Sequence, residues 1–188
     1  TNDLECMILG GGPSLAAFEG EMRQKRAEGI KLITLNGAYN WTLDRGLVPS
    51  AQIIVDARPF NAKFTKPVVE SCKYLIASQC DPSVLAGLPR DRTYLWHTTT
   101  DLILDILSEQ YEVWWGIPGG STVLLRAIPL MRMLGYRRFH LFGCDSCLSH
   151  EAPPAYSQPE NDSECVIPVK VTGGRIFFCP PWLRSQAQ

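Results

Sequence analysis

The sequence has no excess of charge of either sign: eighteen Lys and Arg stand against nineteen Asp and Glu, a net charge of -1 over 188 residues. Without a positive field it does not gather nucleic acid or an anionic membrane, so any anion site must be local. No uninterrupted apolar run approaches the roughly 18 residues of a membrane helix, and residues 1 to 30 lack the basic, apolar and small-residue succession of a signal peptide. The expectation is a soluble, cytoplasmic protein with neither a nucleic-acid nor a membrane partner. A second cysteine pair is also missing. Cys144-Asp145-Ser146-Cys147 has Cys-x-x-Cys spacing, but nothing completes four zinc ligands and the motif does not open a helix as in thioredoxin, so no metal site is expected there. The seven cysteines make an odd count, with Cys6 in a strand and Cys72 and Cys80 flanking another. That pattern suits buried thiols in a reducing compartment rather than a disulfide framework. Repeats and low-complexity runs are absent.

What is present is a core. With 45% hydrophobic and 10% aromatic residues the chain can fill one compact domain over 1–188. It divides into a core at 4–148, a polar loop or lid at 146–165, and a hairpin with a truncated helix at 166–188. The core is organised around Cys6-Met7-Ile8-Leu9-Gly10-Gly11-Gly12-Pro13-Ser14-Leu15. The apolar run predicts a buried strand, the glycines a tight turn, and Pro13 the first residue of a helix, where a missing N–H costs nothing. Such a junction aims backbone N–H groups and the positive end of a helix dipole at one point, and glycine lets a bulky anion approach the backbone. Phosphate is the expected guest of Gly10, Gly11, Gly12, Pro13 and Ser14, with Gly12 at closest approach; the alternative is that the glycines only make the turn. A P-loop is excluded because Pro-Ser-Leu follows Gly12 where Lys-Ser or Lys-Thr is needed. A dinucleotide fingerprint is disfavoured because its third glycine falls on Leu15 and Asn36 stands where an acid would hold a ribose.

Strand-then-helix alternation continues along the chain. A helix over Leu15 to Glu28 with Leu15, Phe18, Met22 and Arg26 on one face is stopped by Gly29. Strands follow at Lys31 to Leu35, Ala51 to Val55, Tyr74 to Ala77, Thr93 to Trp96 and Arg138 to Phe142, with helices at Tyr39 to Arg45, from Asp81 and at Asp101 to Glu109. Gly116 to Thr122 is a second glycine-rich loop opening a helix, with Gly119, Gly120, Ser121 and Thr122 as a further anion cradle and Ser121 as N-cap. The helix after it places Leu124, Ala127, Ile128, Met131 and Leu134 at core spacing and is kinked by Pro129. Residues 146 to 164 turn to Pro, Ser, Glu, Asn and Asp, long for a structureless connection and so a lid or flap. Gly173-Gly174 between Val166 to Thr172 and Arg175 to Phe178 is a hairpin signal. A helix started by Pro180-Pro181 leaves open a continuation past Gln188.

The alternation predicts an α/β, Rossmann-like, mostly parallel sheet with helices on both faces and a small C-terminal hairpin. In such sheets ligands bind beyond the carboxyl ends of the strands, and Gly10 to Ser14, Asn36, Asp56, Gly119 to Thr122 and Asp145 all follow strands or open helices at that edge. One ligand touching them all is the expectation; for Asp56 a helix cap before Pro59 is the alternative.

The motifs Leu9-Gly10-Gly11-Gly12-Pro13-Ser14-Leu15, Leu35-Asn36-Gly37-Ala38, Val55-Asp56, Gly119-Gly120-Ser121 and Leu134-Gly135-Tyr136 leading to Phe142-Gly143-Cys144-Asp145 resemble, in order and spacing from about Cys6 to Leu148, the MptE-like family. That family is named for an archaeal 6-hydroxymethylpterin diphosphokinase. The resemblance implies a Rossmann-like fold. The pattern is also similar to bacterial CMP-sialic acid sialyltransferases, which implies nucleotide contacts at Gly12, Pro13, Ser14, Asn36, Gly120 and Ser121. Those enzymes place a histidine base well after the Gly-x-Asp strand end, whereas here the nearby histidine is His150, five residues past Asp145. The stretch from Asp145 to His150, with Tyr156, Gln158 and Asn161-Asp162 beyond, also resembles phage-borne members of the MptE-like group.

The expected function is therefore a nucleotide-dependent transferase, either nucleotide-sugar glycosyltransferase-like or an MptE-like diphosphokinase. A non-catalytic nucleotide-binding module or phage-associated binding protein is the alternative, since fold does not fix function. The ligand is a nucleotide or nucleotide-sugar of unassigned base. Mg²⁺ on carboxylates such as Asp56 and Asp145 enters on the diphosphokinase branch. Asp145 and His150 are the candidate catalytic pair: the one as a strand-end carboxylate, the other as a proton acceptor near neutral pH. The plainer alternatives are a turn cap and a solvated loop residue.

Overall fold

In a computed structural model, which describes residues 3–147, 155–159, 165–170, 173–174 and 176–185, the chain lays down seven parallel strands with helices between them. They are β1 (Leu4–Leu9), β2 (Lys31–Leu35), β3 (Ala51–Ile54), β4 (Lys73–Ala77), β5 (Thr93–Thr98), β6 (Gly116–Ile117) and β7 (Tyr136–Phe142). The helices are α1 (Glu19–Ala27), α2 (Ala38–Leu43), α3 (Pro82–Leu85), α4 (Asp101–Gln110) and α5 (Val123–Met133). The strand order is β6-β5-β4-β3-β2-β1-β7, and each neighbouring pair is parallel. The fold is α/β and Rossmann-like.

A parallel strand covered on both faces needs apolar residues at consecutive positions, and β1 supplies them: Cys6, Met7, Ile8 and Leu9 are all fully buried. Because side chains alternate, Met7 and Leu9 join one core with Leu15, Met22 of α1 and Trp41 of α2. Cys6 and Ile8 join the other with Val84 of α3 and Ala127, Leu130 and Met131 of α5. Helices thus cover both faces.

The chain moves outward from β1 through β2 to β6, and α5 then brings it back to β7 on the far side of β1. The two winding directions part between β1 and β7, and a sheet of this kind opens its ligand crevice at that point, beyond the carboxyl ends.

Several local expectations are corrected. Pro13 lies in a turn ahead of the helix rather than at its first position, and Leu15–Phe18 form a separate 3₁₀ turn before α1. Gly116–Ile117, expected as loop, pair with His97 and Thr98 as β6. The N-cap of α5 is Thr122, whose hydroxyl accepts from the Leu125 amide, not Ser121. Leu134, expected in the core, is half exposed because α5 ends one residue before it. At the other end of the chain, β8 (Ile167–Lys170) and β9 (Ile176–Cys179) form the expected antiparallel pair, with Gly173 and Gly174 at φ 89° and 80°. The helix α6 (Pro181–Ser185) follows. Among the described residues no helix is long and apolar enough to cross a membrane.

Candidate functional site at the carboxyl edge of the sheet

The glycine turn leaves β1 at the crevice and is bound to the end of β7. Gly10 N–H donates to Phe142 O at 2.9 Å and Gly12 N–H to Gly143 O at 2.8 Å. Ser14 donates twice to Asp145, from its amide at 2.8 Å and its hydroxyl at 2.6 Å. The helix start expected to present free amides to a phosphate thus already holds an anion, the chain's own carboxylate, where the positive end of the helix favours one. A Cβ on Gly12 would lie 2.8 Å from Gly143 O and closer still to the Asp145 carboxylate. The end of β7 by itself already demands glycine here. Gly11 O accepts from Gln158 Nε2 at 3.1 Å.

At the ends of β2 and β3, Asn36 sits in the left-handed region at φ 47°, which Asn tolerates better than most residues. Its position is held from beneath by a buried polar network that sequence inspection missed. Thr34 Oγ1 donates to Gln52 Oε1 at 2.6 Å, and Gln52 Nε2 donates to Asn36 O at 2.9 Å and Phe64 O at 3.0 Å. Gln52 is fully buried on β3, and a glutamine in an apolar strand was the one signal available for it. Asp56 does not cap a helix: it accepts from the Arg58 amide and guanidinium. Burial works against its ionisation, but the Arg58 hydrogen bonds and charge outweigh it and hold the carboxyl below its ordinary value. Asn61, also missed, donates Nδ2 to the carbonyls of Asp56 and Arg58 at 3.3 and 2.9 Å, and its Oδ1 is buried without a partner. So is Asn36 Oδ1.

Of the 146–165 segment, the described piece 155–159 lies over this edge. Ala155 N–H and Gln158 both donate to Gly11 O, and the Tyr156 ring stands where a side chain on Gly11 or Gly37 would be. On one side of Tyr156 is a cavity of about 70 Å³ lined by Asn36, Asp56, Asn61, Phe64 and Gln158. On the other is one of about 400 Å³ lined by Trp41, Arg45, Lys63 and Phe64, a size suited to small ligands.

The structure therefore joins Gly10 to Ser14, Asn36, Asp56 and Asp145 along one edge. Gly119 to Thr122 follow β6, and the hydrogen bonds of Gly120 and Thr122 run to Arg126 and Leu125 rather than to these residues. β6 stands five strands from β1, roughly 24 Å across the sheet at about 4.8 Å per strand. Gly120 O there accepts from Arg126 Nε at 2.9 Å, and Arg126 NH1 reaches Ile117 O at 2.9 Å, so that loop is tied to its own helix. His150 lies outside the described residues. Cys144 Sγ packs toward Ile8 O and Phe142 O, and burial pushes its thiol up to about 11.

The family model described as 6-hydroxymethylpterin diphosphokinase MptE-like matches residues 1–151. No curated protein matches. Among solved structures, that of the MAf glycosyltransferase from Magnetospirillum magneticum AMB-1 superposes with a TM-score of 0.69 at 16% identity, covering 98% of this chain and 28% of that one. The chain thus spans little more than a quarter of that neighbour's length, and the likeness is one of fold.

Proposed function

The chain belongs to the MptE-like family, and we propose on that footing that it is a nucleotide-dependent transferase whose ligand lies along the carboxyl ends of β1, β2, β3 and β7. The observation that carries the reading is the convergence, at the topological switch point, of the glycine turn with Asp145 on one side and two unpaired amide oxygens on the other. The base end of the nucleotide belongs near Asn36 and its phosphates toward the glycine turn. A phosphate there meets the Asp145 carboxylate, so the two negative charges need a cation between them or a shift of Asp145.

That requirement divides the reaction classes. On the diphosphokinase branch Mg²⁺ supplies charge neutralisation of the phosphates, and of the two expected carboxylates Asp145 fits it better, because Asp56 is engaged by Arg58. On the glycosyltransferase branch an acceptor hydroxyl attacks the sugar's anomeric carbon, the bond to the phosphate oxygen breaks, and the nucleotide leaves with that oxygen. The acceptor's proton passes to a base. Asp145 is our candidate to orient the hydroxyl, and His150 our candidate for the base. The acceptor lies in the 400 Å³ cavity.

Thermal unfolding with CMP, UDP, GDP and ATP, each with and without Mg²⁺, tests the reading. A ligand at about 100 times its Kd adds roughly 2.7 kcal/mol of stability. A shift with at least one nucleotide is expected, and a shift that needs Mg²⁺ selects the diphosphokinase branch. No shift with any of them defeats the proposal. Once an activity is found, His150→Ala should lower turnover by about 10²-fold with little change in nucleotide affinity; undiminished turnover removes it as base. Nucleotide binding without turnover would favour the non-catalytic module.

A further inference from the structure

The helix α4 is ten residues long, and Leu107 alone among them is buried. A helix of that length is marginal by itself in water, and most helical stability in proteins comes from packing an apolar face. Leu102 and Ile106, one turn apart on one face, are both exposed, Leu102 at 69%. Going round the helix, they stand between the side that buries Leu107 and a stripe of Asp101, Asp105 and Glu109. The loop that leaves the helix exposes Tyr111, Val113 and Trp115, the last at 74%, and exposed aromatic residues are what interface cores favour. No Lys or Arg occurs between Arg92 and Arg126, whereas Asp101, Asp105, Glu109 and Glu112 all fall there. These four acids are exposed, and among the described residues none is in an ion pair.

We propose that this face docks an amphipathic helix of a partner protein, whose apolar stripe covers Leu102 and Ile106 and whose Lys or Arg side chains meet Asp101, Asp105 and Glu109. Charge selects that occupant. The same face of a second copy would set like charges against one another. An anionic membrane surface takes helices with Lys and Arg on their polar side, which α4 lacks. A basic amphipathic helix answers both features together, because side chains at i and i+4 spacing anchor a helix in such a contact while the flanking charges set its orientation and the choice of partner. The inference is independent of the nucleotide reading above.

The test titrates the full chain, at about 0.15 M ionic strength, with a synthetic peptide of roughly 18 residues in which Leu forms a stripe at helical spacing and Lys fills the rest. Two controls accompany it: the same stripe with Glu in place of Lys, and the Leu and Lys composition shuffled so that no stripe forms. The Leu/Lys stripe should bind about tenfold more tightly than either control. Leu102→Ser with Ile106→Ser should weaken it by about tenfold or more, as truncation of central contact residues does. Asp101→Lys, Asp105→Lys and Glu109→Lys together should move the preference to the Leu/Glu peptide. All five positions are exposed, and if the serine pair fails to fold the charge-reversed variant still decides. Absence of binding, equal binding of the three peptides, or binding indifferent to either folded variant overturns the inference. So does a dimer in sedimentation that Leu102→Ser with Ile106→Ser dissociates, since the face then belongs to a second copy.

Discussion

Asp145 shows how much a single carboxylate can do at a strand end. Its two hydrogen bonds from Ser14 join residues 131 positions apart and close the switch point. Hydrogen bonds to charged groups contribute about 1.5–3 kcal/mol. Ser14→Ala, which removes one of the pair, is expected to cost on the order of 1 kcal/mol in urea unfolding; an unchanged midpoint would show that the contact contributes nothing. Gly12→Val is a harsher change. Its Cβ strikes Asp145 and Gly143, so loss of stability is expected together with any loss of binding, and the variant cannot isolate the nucleotide contact. Asp56 makes a prediction about pH. Its folded pKa lies below the ordinary 3.8, so the ionised form is favoured by folding. The stabilisation is present above that ordinary value and is lost as pH falls through the folded one. Melting temperatures of the wild type should therefore fall more steeply than those of Asp56→Asn as pH drops below about 4. Parallel curves would refute the linkage.

Between residues and fold stand the elements, and the β2–β3 pair shows what couples them. Thr34, Gln52, Asn36 and Phe64 form one buried chain of hydrogen bonds, so the loop after β3 is fastened to the loop after β2 through a side chain on β3 itself. Gln52→Leu keeps the bulk and removes every partner, leaving Asn36 O and Phe64 O without their side-chain donor. Asn36 O keeps the Tyr39 amide as donor, so the cost falls mainly on Phe64 O, and a buried group left unpaired costs about 1–3 kcal/mol. The variant should lose about 2 kcal/mol or more with an unchanged denaturant slope, and nucleotide affinity should fall with it because Asn36 is no longer held. Full retention of stability would mean that water replaces the network. The strand and helix succession itself was legible, since periodicity and turn residues act over a few positions. β6 was not, because two residues carry no periodicity, and its pairing with His97 and Thr98 is a tertiary fact. The α5 cap was misplaced by one residue because Ser121 and Thr122 are both capping types, and the backbone geometry chose between them.

At the scale of the whole molecule, stability should follow position in the sheet. β1 and β2 carry buried residues of both cores and β3 and β4 those of one, whereas β5 exposes Tyr94 and Leu95 and β6 has two residues at the edge. Amide exchange is expected to be slowest in β1 to β4 and faster by on the order of 100-fold or more in β6, β8 and β9; uniform protection would contradict this. Sequence alone determined the α/β class, the glycine turn after β1, and the placing of Asn36, Asp56 and Asp145 at strand ends, because each follows from local pattern and from side chains a few residues apart. Tertiary structure alone decided which of those ends meet. Parallel strands pair across long stretches of chain, and nothing in their alternation says that β7 lies beside β1 while β6 lies at the far edge. That order brings Asp145 to Ser14 and sets β6, ahead of Gly119 to Thr122, five strands from β1. It also set Asn61 and Tyr156 beside Asn36, whose partners are defined by contacts between distant segments rather than by any motif.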